Sequence, residues 1–163
     1  MYTIQSIIFI LFFTFSIMVS HYILQWNCRG FRANYEELNL LVQKYNPKVI
    51  CLQETFLPNN SSFTFKNYTA YHDTSTSIFI HNTVHHTPIS PNTPLSVTAV
   101  RVTLHKVITI CSVYLPPKQQ LQLSDLDMLV SQLPSPQLLL GDFNGANQLW
   151  GSASNNPRGD LIE

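Results

Sequence analysis

The sequence predicts an α/β domain, and three features of the chain from residue 22 onward support this prediction. An apolar run, an amphipathic helical stretch and a second apolar run come first, in the order strand, helix, strand. Two β-rich runs separated by three residues then indicate a hairpin, and a helical stretch followed by another apolar run ends the pattern. A chain of 163 residues with 45% hydrophobic content can bury one sizeable core and hardly two.

The first strand and helix are predicted from hydrophobic spacing and from the residues that interrupt it. Residues 22–26 form a short apolar run that is followed by Asn-Cys-Arg-Gly at 27–30, a pattern typical of a buried strand entering a turn. Asn34 is the expected cap of a helix, and Asn46-Pro47 is its expected stop. Residues 49–52 form the second buried strand, and the connection is long enough for a parallel crossover.

The rest of the chain alternates between β-rich and helical patterns. Residues 85–94 are predicted to be a loop, because Pro88, Pro91 and Pro94 oppose regular strand pairing. The other predicted elements are, in order, strands at 63–71, 77–81, 97–103 and 107–114, a helix at 121–133 and a strand at 137–140.

The amino terminus is strongly apolar between residues 7 and 19. This run is shorter than the roughly 20 residues of a membrane-spanning helix, and it fits the apolar region of a signal peptide. No Lys or Arg precedes it, since the first basic residue is Arg29. Three interpretations are a weak signal or anchor, an extra buried segment, and sequence foreign to the domain. We favour the last, with residues 1–21 as an apolar leader that projects as an isolated helix and residues 22–163 as the domain.

Charge and cysteine content narrow the classes of protein to which the chain can belong. Nine basic and nine acidic residues give zero formal charge, which weakens a DNA-binding hypothesis without removing it, since a local basic patch can exist in a neutral total. The three cysteines are an odd number without the spacing of metal ligands. We expect them to be reduced thiols buried in strands.

Polar residues stand where four of the predicted strands end: Asn27, Gln53-Glu54, Tyr114, and Asp142 with Asn144. Each alone has an ordinary explanation as a turn former, a solvated acid or a packing aromatic. Strands that share a sheet place such residues on one rim, where open α/β folds build their sites. Asp142 and Asn144, two positions apart, project to one side of an extended chain. Carboxylates, amides and a phenol together suit a hard divalent cation and a phosphate.

These polar positions belong to motifs that resemble, in order, those of the endonuclease/exonuclease/phosphatase superfamily. The motifs are Gln25-Trp26-Asn27-Cys28-Arg29-Gly30, Gln53-Glu54-Thr55, Val113-Tyr114-Leu115-Pro116-Pro117 and Gly141-Asp142-Phe143-Asn144. Leu149-Trp150-Gly151 and Asn156-Pro157-Arg158-Gly159 narrow the resemblance to the endonuclease domain of Jockey-like non-LTR retrotransposons. The resemblance extends over residues 22–163.

The resemblance implies a fold and a role for each polar residue. The fold would be a four-layer α/β/β/α sandwich of two mixed sheets. Glu54 would bind the catalytic Mg²⁺, for which Mn²⁺ is the alternative, and Asn27 would orient the metal or the phosphate. Asp142 would deprotonate the attacking water, and Asn144 would hold Asp142 or the phosphate. Tyr114 would contact the scissile phosphate.

The function implied is DNA nicking for target-primed reverse transcription. The expected partners are DNA and a reverse transcriptase domain of the full-length element, with a nuclear or cytoplasmic location and no stable membrane partner. The superfamily's closing Ser-Asp-His motif has no counterpart here, since no His follows Asp142. We therefore expect a carboxyl-terminally truncated sandwich that cleaves DNA feebly. The alternatives are an inactive remnant or gene-model fragment, and a phosphatase or lipid phosphodiesterase of the same superfamily.

Overall fold

A computed structural model describes residues 8–13 and 21–163, which form two mixed β-sheets with helices against them. The first sheet has the strand order β1-β2-β3-β5-β4, and the second has the order β6-β7-β8-β9. The elements are β1 (Ile8–Phe13), β2 (His21–Asn27), α1 (Tyr35–Tyr45), β3 (Val49–Gln53), β4 (Tyr68–His72), β5 (Thr76–His81), β6 (His86–Ile89), β7 (Ser96–Thr103), β8 (Val107–Tyr114), α2 (Leu123–Gln132), β9 (Gln137–Asp142), a 3₁₀ turn (Gln148–Trp150) and α3 (Pro157–Ile162). The pairs β2–β3 and β8–β9 are parallel, and the other pairs are antiparallel.

Alternating side chains divide the core into three apolar layers. Leu38 and Val42 of α1 pack on the outer face of the first sheet, and Leu129 of α2 packs on the outer face of the second. Side chains of both sheets meet in the middle layer, among them Ile23, Val49, Cys51, Ile78, Val100 and Ile110. The order helix, sheet, sheet, helix confirms the α/β/β/α sandwich.

Helix α1 begins and ends where the sequence indicates, but the side chain of Asn34, the residue before its first turn, makes no capping hydrogen bond. The amide of Asn34 donates to the carbonyl oxygens of Cys28 at 2.7 Å and Gly30 at 3.4 Å, so it fastens the preceding turn instead of capping the helix. At the other end Asn46 takes a left-handed conformation with φ +42°, and its N–H donates to Val42 O at 2.8 Å. The turn after β2 and the start of α1 are therefore one connected unit.

Two strands differ from the sequence-based expectation. The predicted loop at 85–94 contains strand β6, in which Pro88 lies opposite Val100 of β7. The expectation of no pairing is wrong because β6 is an edge strand, where a proline without an N–H costs no hydrogen bond on the open side. Strand β4 is shorter than predicted and begins at Tyr68, after a turn in which Tyr68 N–H donates to Phe65 O at 3.1 Å.

Part of the apolar amino terminus is a strand. Ile8–Phe13 pairs antiparallel with β2, with Phe13 opposite His21. The expected isolated helix is therefore wrong for these residues, since a run of Ile and Phe also favours extended chain. Residues 1–7 and 14–20 lie outside the described part, and the domain boundary at residue 22 stays a prediction. No helix within 8–13 and 21–163 is long and apolar enough to span a membrane.

The three cysteines are free and buried, as predicted, and Cys51 and Cys111 lie in strands β3 and β8. Cys28 is the exception to the predicted strand location, because β2 ends one residue before it. Burial raises the pKa of the Cys28 and Cys111 thiols to about 12 and also raises the pKa of Cys51. These thiols are therefore protonated at neutral pH, and they act as small apolar side chains of the core.

Candidate active site

The candidate site lies on the rim where β2, β3, β8 and β9 end. Asn27 is opposite Gln53 in the parallel pair β2–β3, and Tyr114 is opposite Asp142 in the parallel pair β8–β9. Because parallel strands end at the same edge, the first pair delivers Asn27 to the rim and the second pair delivers Tyr114 and Asp142. Glu54 follows β3 directly and completes the group.

The two carboxylates of this rim converge on one amide group. Asn27 Nδ2 donates to Glu54 Oε1 at 2.8 Å and to Asp142 Oδ2 at 2.7 Å. Asn27 Oδ1 accepts from the main-chain N–H of Arg29 at 3.3 Å. This hydrogen bond orients the amide so that its nitrogen faces the two acids. The structure thus brings Asn27, Glu54 and Asp142 together, while their chemical roles stay predictions.

Glu54 is held by a turn whose backbone is strained. Its φ is +52°, a left-handed value that costs a residue with a Cβ roughly 1–3 kcal/mol. The carbonyl of Glu54 accepts from Gly30 N–H at 2.7 Å, and that of Thr55 accepts from Phe31 N–H at 3.0 Å. Gly30 itself has φ +107°, where a glycine is required. The turns after β2 and β3 therefore fix each other and the Glu54 carboxylate.

Asp142 is oriented from both sides, and Asn144 takes part through its main chain. The N–H of Asn144 donates to Asp142 Oδ1 at 3.0 Å, whereas its side-chain Nδ2 donates to Leu115 O at 3.1 Å. The expectation that the two side chains project alike from an extended chain is wrong, because β9 ends at Asp142 and Asn144 has φ +49°. A Cβ at Gly141 would lie 1.8 Å from Val113 O, so this position admits only glycine.

Tyr114 lies close to both acids and remains neutral. Burial is the main cause that raises its pKa to about 12, followed by the charge of Glu54, a hydrogen bond with Glu54 and the charge of Asp142. A phenolate beside two carboxylates is disfavoured, so the phenol keeps its proton at neutral pH. The hydroxyl of Tyr114 is thus a hydrogen-bond donor in the site.

A buried polar layer, made of Gln25, Gln53 and Ser112, lies behind the site between the two sheets. Gln25 Nε2 donates to Gln53 Oε1 at 2.6 Å, and Gln53 Nε2 donates to Ser112 Oγ at 2.9 Å. The Ser112 hydroxyl donates in turn to Leu52 O at 3.2 Å. Sequence reasoning missed this layer, although two glutamines in otherwise apolar strands are a visible signal. The layer ties the strand that precedes Glu54 to the strand that ends at Tyr114.

Arg158 fastens the loops that leave β8 and β9. Its guanidinium donates to Leu115 O at 2.9 Å, Pro117 O at 3.3 Å and Phe143 O at 3.4 Å, and also to Gln119 O. Leu115 O is the same carbonyl that accepts from Asn144, so one oxygen joins the two loops. The sequence marks Arg158 only as part of a motif, and its contacts show a structural function for that motif.

The donor set of the rim fits a hard divalent cation. The carboxylates of Glu54 and Asp142 are oxygen ligands on partly exposed side chains, and the amide of Asn27 presents its nitrogen to them in this structure. The described residues contain no cluster of three or more His, Cys, Asp or Glu with the geometry of a metal site. An ion held here would keep several water molecules, which is the usual state of protein-bound Mg²⁺.

Comparison with known proteins places these features in a family context. The model of the Endonuclease/Exonuclease/phosphatase family matches residues 24–162. The RNA-directed DNA polymerase from mobile element jockey of Drosophila melanogaster is 25% identical over 149 residues, covering 85% of this chain and 16% of the relative. The probable RNA-directed DNA polymerase from transposon X-element of the same species is 27% identical over 149 residues, covering 84% and 16%. The chain therefore spans about a sixth of these curated relatives.

Solved structures share the fold. The endonuclease domain of TRAS1, a telomere-specific non-LTR retrotransposon, has a TM-score of 0.73 at 18% identity, covering 86% of this chain and 68% of that one. An AP endonuclease from Archaeoglobus fulgidus has a TM-score of 0.55 at 16% identity, covering 76% and 57%. At these identities the likeness concerns the fold alone.

Proposed function

Because this chain belongs to the endonuclease/exonuclease/phosphatase family, we propose that it hydrolyses DNA phosphodiester bonds as the nicking endonuclease of a non-LTR retrotransposon. The observation that carries the proposal is the convergence of Glu54 and Asp142, from different sheets, on the amide of Asn27. The similarity to jockey and X-element proteins supports the retroelement origin.

Each polar residue of the rim has a separate role in the proposed in-line hydrolysis. Asp142 accepts the proton of the attacking water, because the N–H groups of Asn27 and Asn144 fix its carboxylate orientation. Tyr114, neutral at the pH of the reaction, donates its hydroxyl proton in a hydrogen bond to a phosphate oxygen. Glu54 would hold Mg²⁺ or Mn²⁺, and Asn27 would join it by turning its amide so that Oδ1 replaces Nδ2 beside the carboxylates. Such an ion would polarise phosphoryl oxygens and offset their charge.

The biological setting is part of the same proposal. A nick in DNA provides a primer for target-primed reverse transcription, and the partners are DNA and a reverse transcriptase domain, in the nucleus or cytoplasm. Residues 22–163 would constitute the nuclease domain. Feeble cleavage by these residues alone stays a prediction.

Plasmid nicking with Mg²⁺, together with calorimetric Mg²⁺ binding, tests the proposal. We expect Glu54→Gln and Asp142→Asn to lower the nicking rate by on the order of 10²-fold or more, and Glu54→Gln to weaken Mg²⁺ binding. The matched control is Glu36→Gln, an exposed acid in the first turn of α1. Nicking that survives both substitutions would contradict the proposal. Release of phosphate from a 3′-phosphorylated oligonucleotide without strand cleavage would favour a phosphatase instead.

A further inference from the structure

Phe56, two positions beyond Glu54, combines an exposed ring with a strained backbone. Its side chain is 65% exposed, although its neighbours Thr55 and Leu57 are buried. Its φ is +52°, which is unusual for a residue with a bulky side chain. A ring that stays mostly exposed removes little apolar surface from water and so contributes little to the stability of the fold. Fold stability therefore explains neither the exposure of Phe56 nor its backbone conformation. Strained residues that are pinned by their surroundings occur often at ligand contacts.

The surroundings of Phe56 place its ring at the edge of the candidate site. A Cβ at Gly30 would lie 3.7 Å from Phe56 Cδ2, so the ring lies beside the turn that follows β2. Gly30 N–H donates to Glu54 O at 2.7 Å, which ties this turn to the residue that carries the carboxylate. A nucleotide next to a phosphate bound between Glu54 and Asp142 would therefore lie close to the ring.

We propose that Phe56 stacks on a base of the DNA strand next to the scissile phosphate. This inference rests on the proposed function. A neutral, apolar and planar ring cannot bind a phosphate, but it matches the face of any base, so stacking tolerates every sequence. Phe56 thus contributes affinity for an unstacked nucleotide and not a preference for one base. Its backbone strain would be retained because the ring is needed at the rim.

The test measures binding of a DNA duplex in which 2-aminopurine replaces the adenines of one strand, in EDTA so that no cleavage occurs. Phe56→Ala and Phe56→Gly should each weaken binding by about tenfold, as loss of one aromatic–base stack predicts, and should remove the fluorescence quenching. Phe56→Tyr should retain both. Leu40→Ala is the matched control, because Leu40 is 66% exposed on α1.

Thermal unfolding separates stacking from damage to the fold. Phe56→Gly should unfold roughly 2–4 °C above Phe56→Ala, because glycine adopts positive φ freely. Equal loss of DNA binding in these two variants, despite unequal stability, would support the inference. Unchanged affinity of Phe56→Ala, or recovered affinity of Phe56→Gly, would overturn it and leave the proposed function standing. A wild-type chain that neither binds nor nicks DNA would overturn both.

Discussion

Asn27 and Asp142 lie in different sheets, 115 positions apart in the sequence, and a 2.7 Å hydrogen bond joins their side chains. The same amide nitrogen also reaches Glu54. One neutral group therefore sets the spacing of two like charges, which would otherwise repel each other across the rim.

Replacing this amide with a carboxylate should make the fold depend on a cation. Asn27→Asp removes the donor and adds a third negative charge, so it should unfold at a lower temperature than Asn27→Ala in metal-free buffer. Millimolar Mg²⁺ should raise the unfolding temperature of Asn27→Asp more than that of wild type. Thermal scans with and without Mg²⁺ measure both effects, and Asn59→Asp in an exposed loop is the control. Equal Mg²⁺ shifts in Asn27→Asp and Asn59→Asp would contradict a metal site at this rim.

Removing the Ser112 hydroxyl from the buried polar layer should lower the stability of the whole domain. Ser112→Ala leaves Gln53 Nε2 buried without its acceptor, which should lower the free energy of unfolding by about 1–3 kcal/mol. Urea unfolding measures the loss. Ser131→Ala removes a hydroxyl that bonds to Met128 O on an exposed helix face, so its effect should be within about 0.5 kcal/mol of zero. Comparable losses in the two variants would show that the layer is not what joins the sheets.

Even the conservative substitution of Arg158 by lysine should destabilise the domain. Lysine keeps the charge, but its ammonium cannot reach four carbonyl groups arranged around a planar guanidinium. We expect Arg158→Lys to recover less than half of the stability lost in Arg158→Ala, a loss of about 2 kcal/mol. Arg32→Lys, at an exposed site above the Phe63 ring, is the control in urea unfolding. Full recovery by lysine would mean that charge alone explains the contribution of Arg158.

The phenol of Tyr114 should ionise at a higher pH than an ordinary tyrosine, and its pKa should depend on the neighbouring Glu54. Its pKa in the fold, about 12, is above the ordinary value of 10, so the folded state favours the protonated form. The stability that it contributes is thus complete below pH 10 and is lost as the pH rises from 10 through 12. Phenolate absorbance of wild type minus Tyr114→Phe isolates this titration. Glu54→Gln should lower the pKa without restoring 10, because burial remains the larger cause. Ionisation near pH 10 in the wild type would refute this view of the site.

The positions of the site residues could be predicted because they follow from local rules. Apolar runs mark β2, β3, β8 and β9, and parallel pairing then brings the residues that end them to one rim. Pro88 was misleading because its effect depends on whether a strand lies at an edge, which pairing alone determines. The strand at Ile8–Phe13 was missed because an apolar run fits helix and strand equally well.

The contacts behind the rim could not be predicted, since they depend on how the sheets stack. The hydrogen bond from Gln53 to Ser112, 59 positions away in the sequence, can form only when the two sheets face each other. The left-handed conformation of Asn144 likewise redirects its side chain to Leu115 in a way that spacing along the sequence does not indicate. The geometry of Arg158 depends on two loops that meet only in the folded chain.

The burial of all three cysteines has a practical consequence for capturing the proposed complex with DNA. The sequence contains three cysteines, each of them is buried, and each has a raised thiol pKa. Reagents that need an accessible thiolate should therefore leave the folded protein unmodified. A single Phe56→Cys substitution would introduce one reactive thiol beside the candidate site. An oligonucleotide that carries a disulfide-activated tether could then be captured there covalently, in one defined register, without competition from the native thiols.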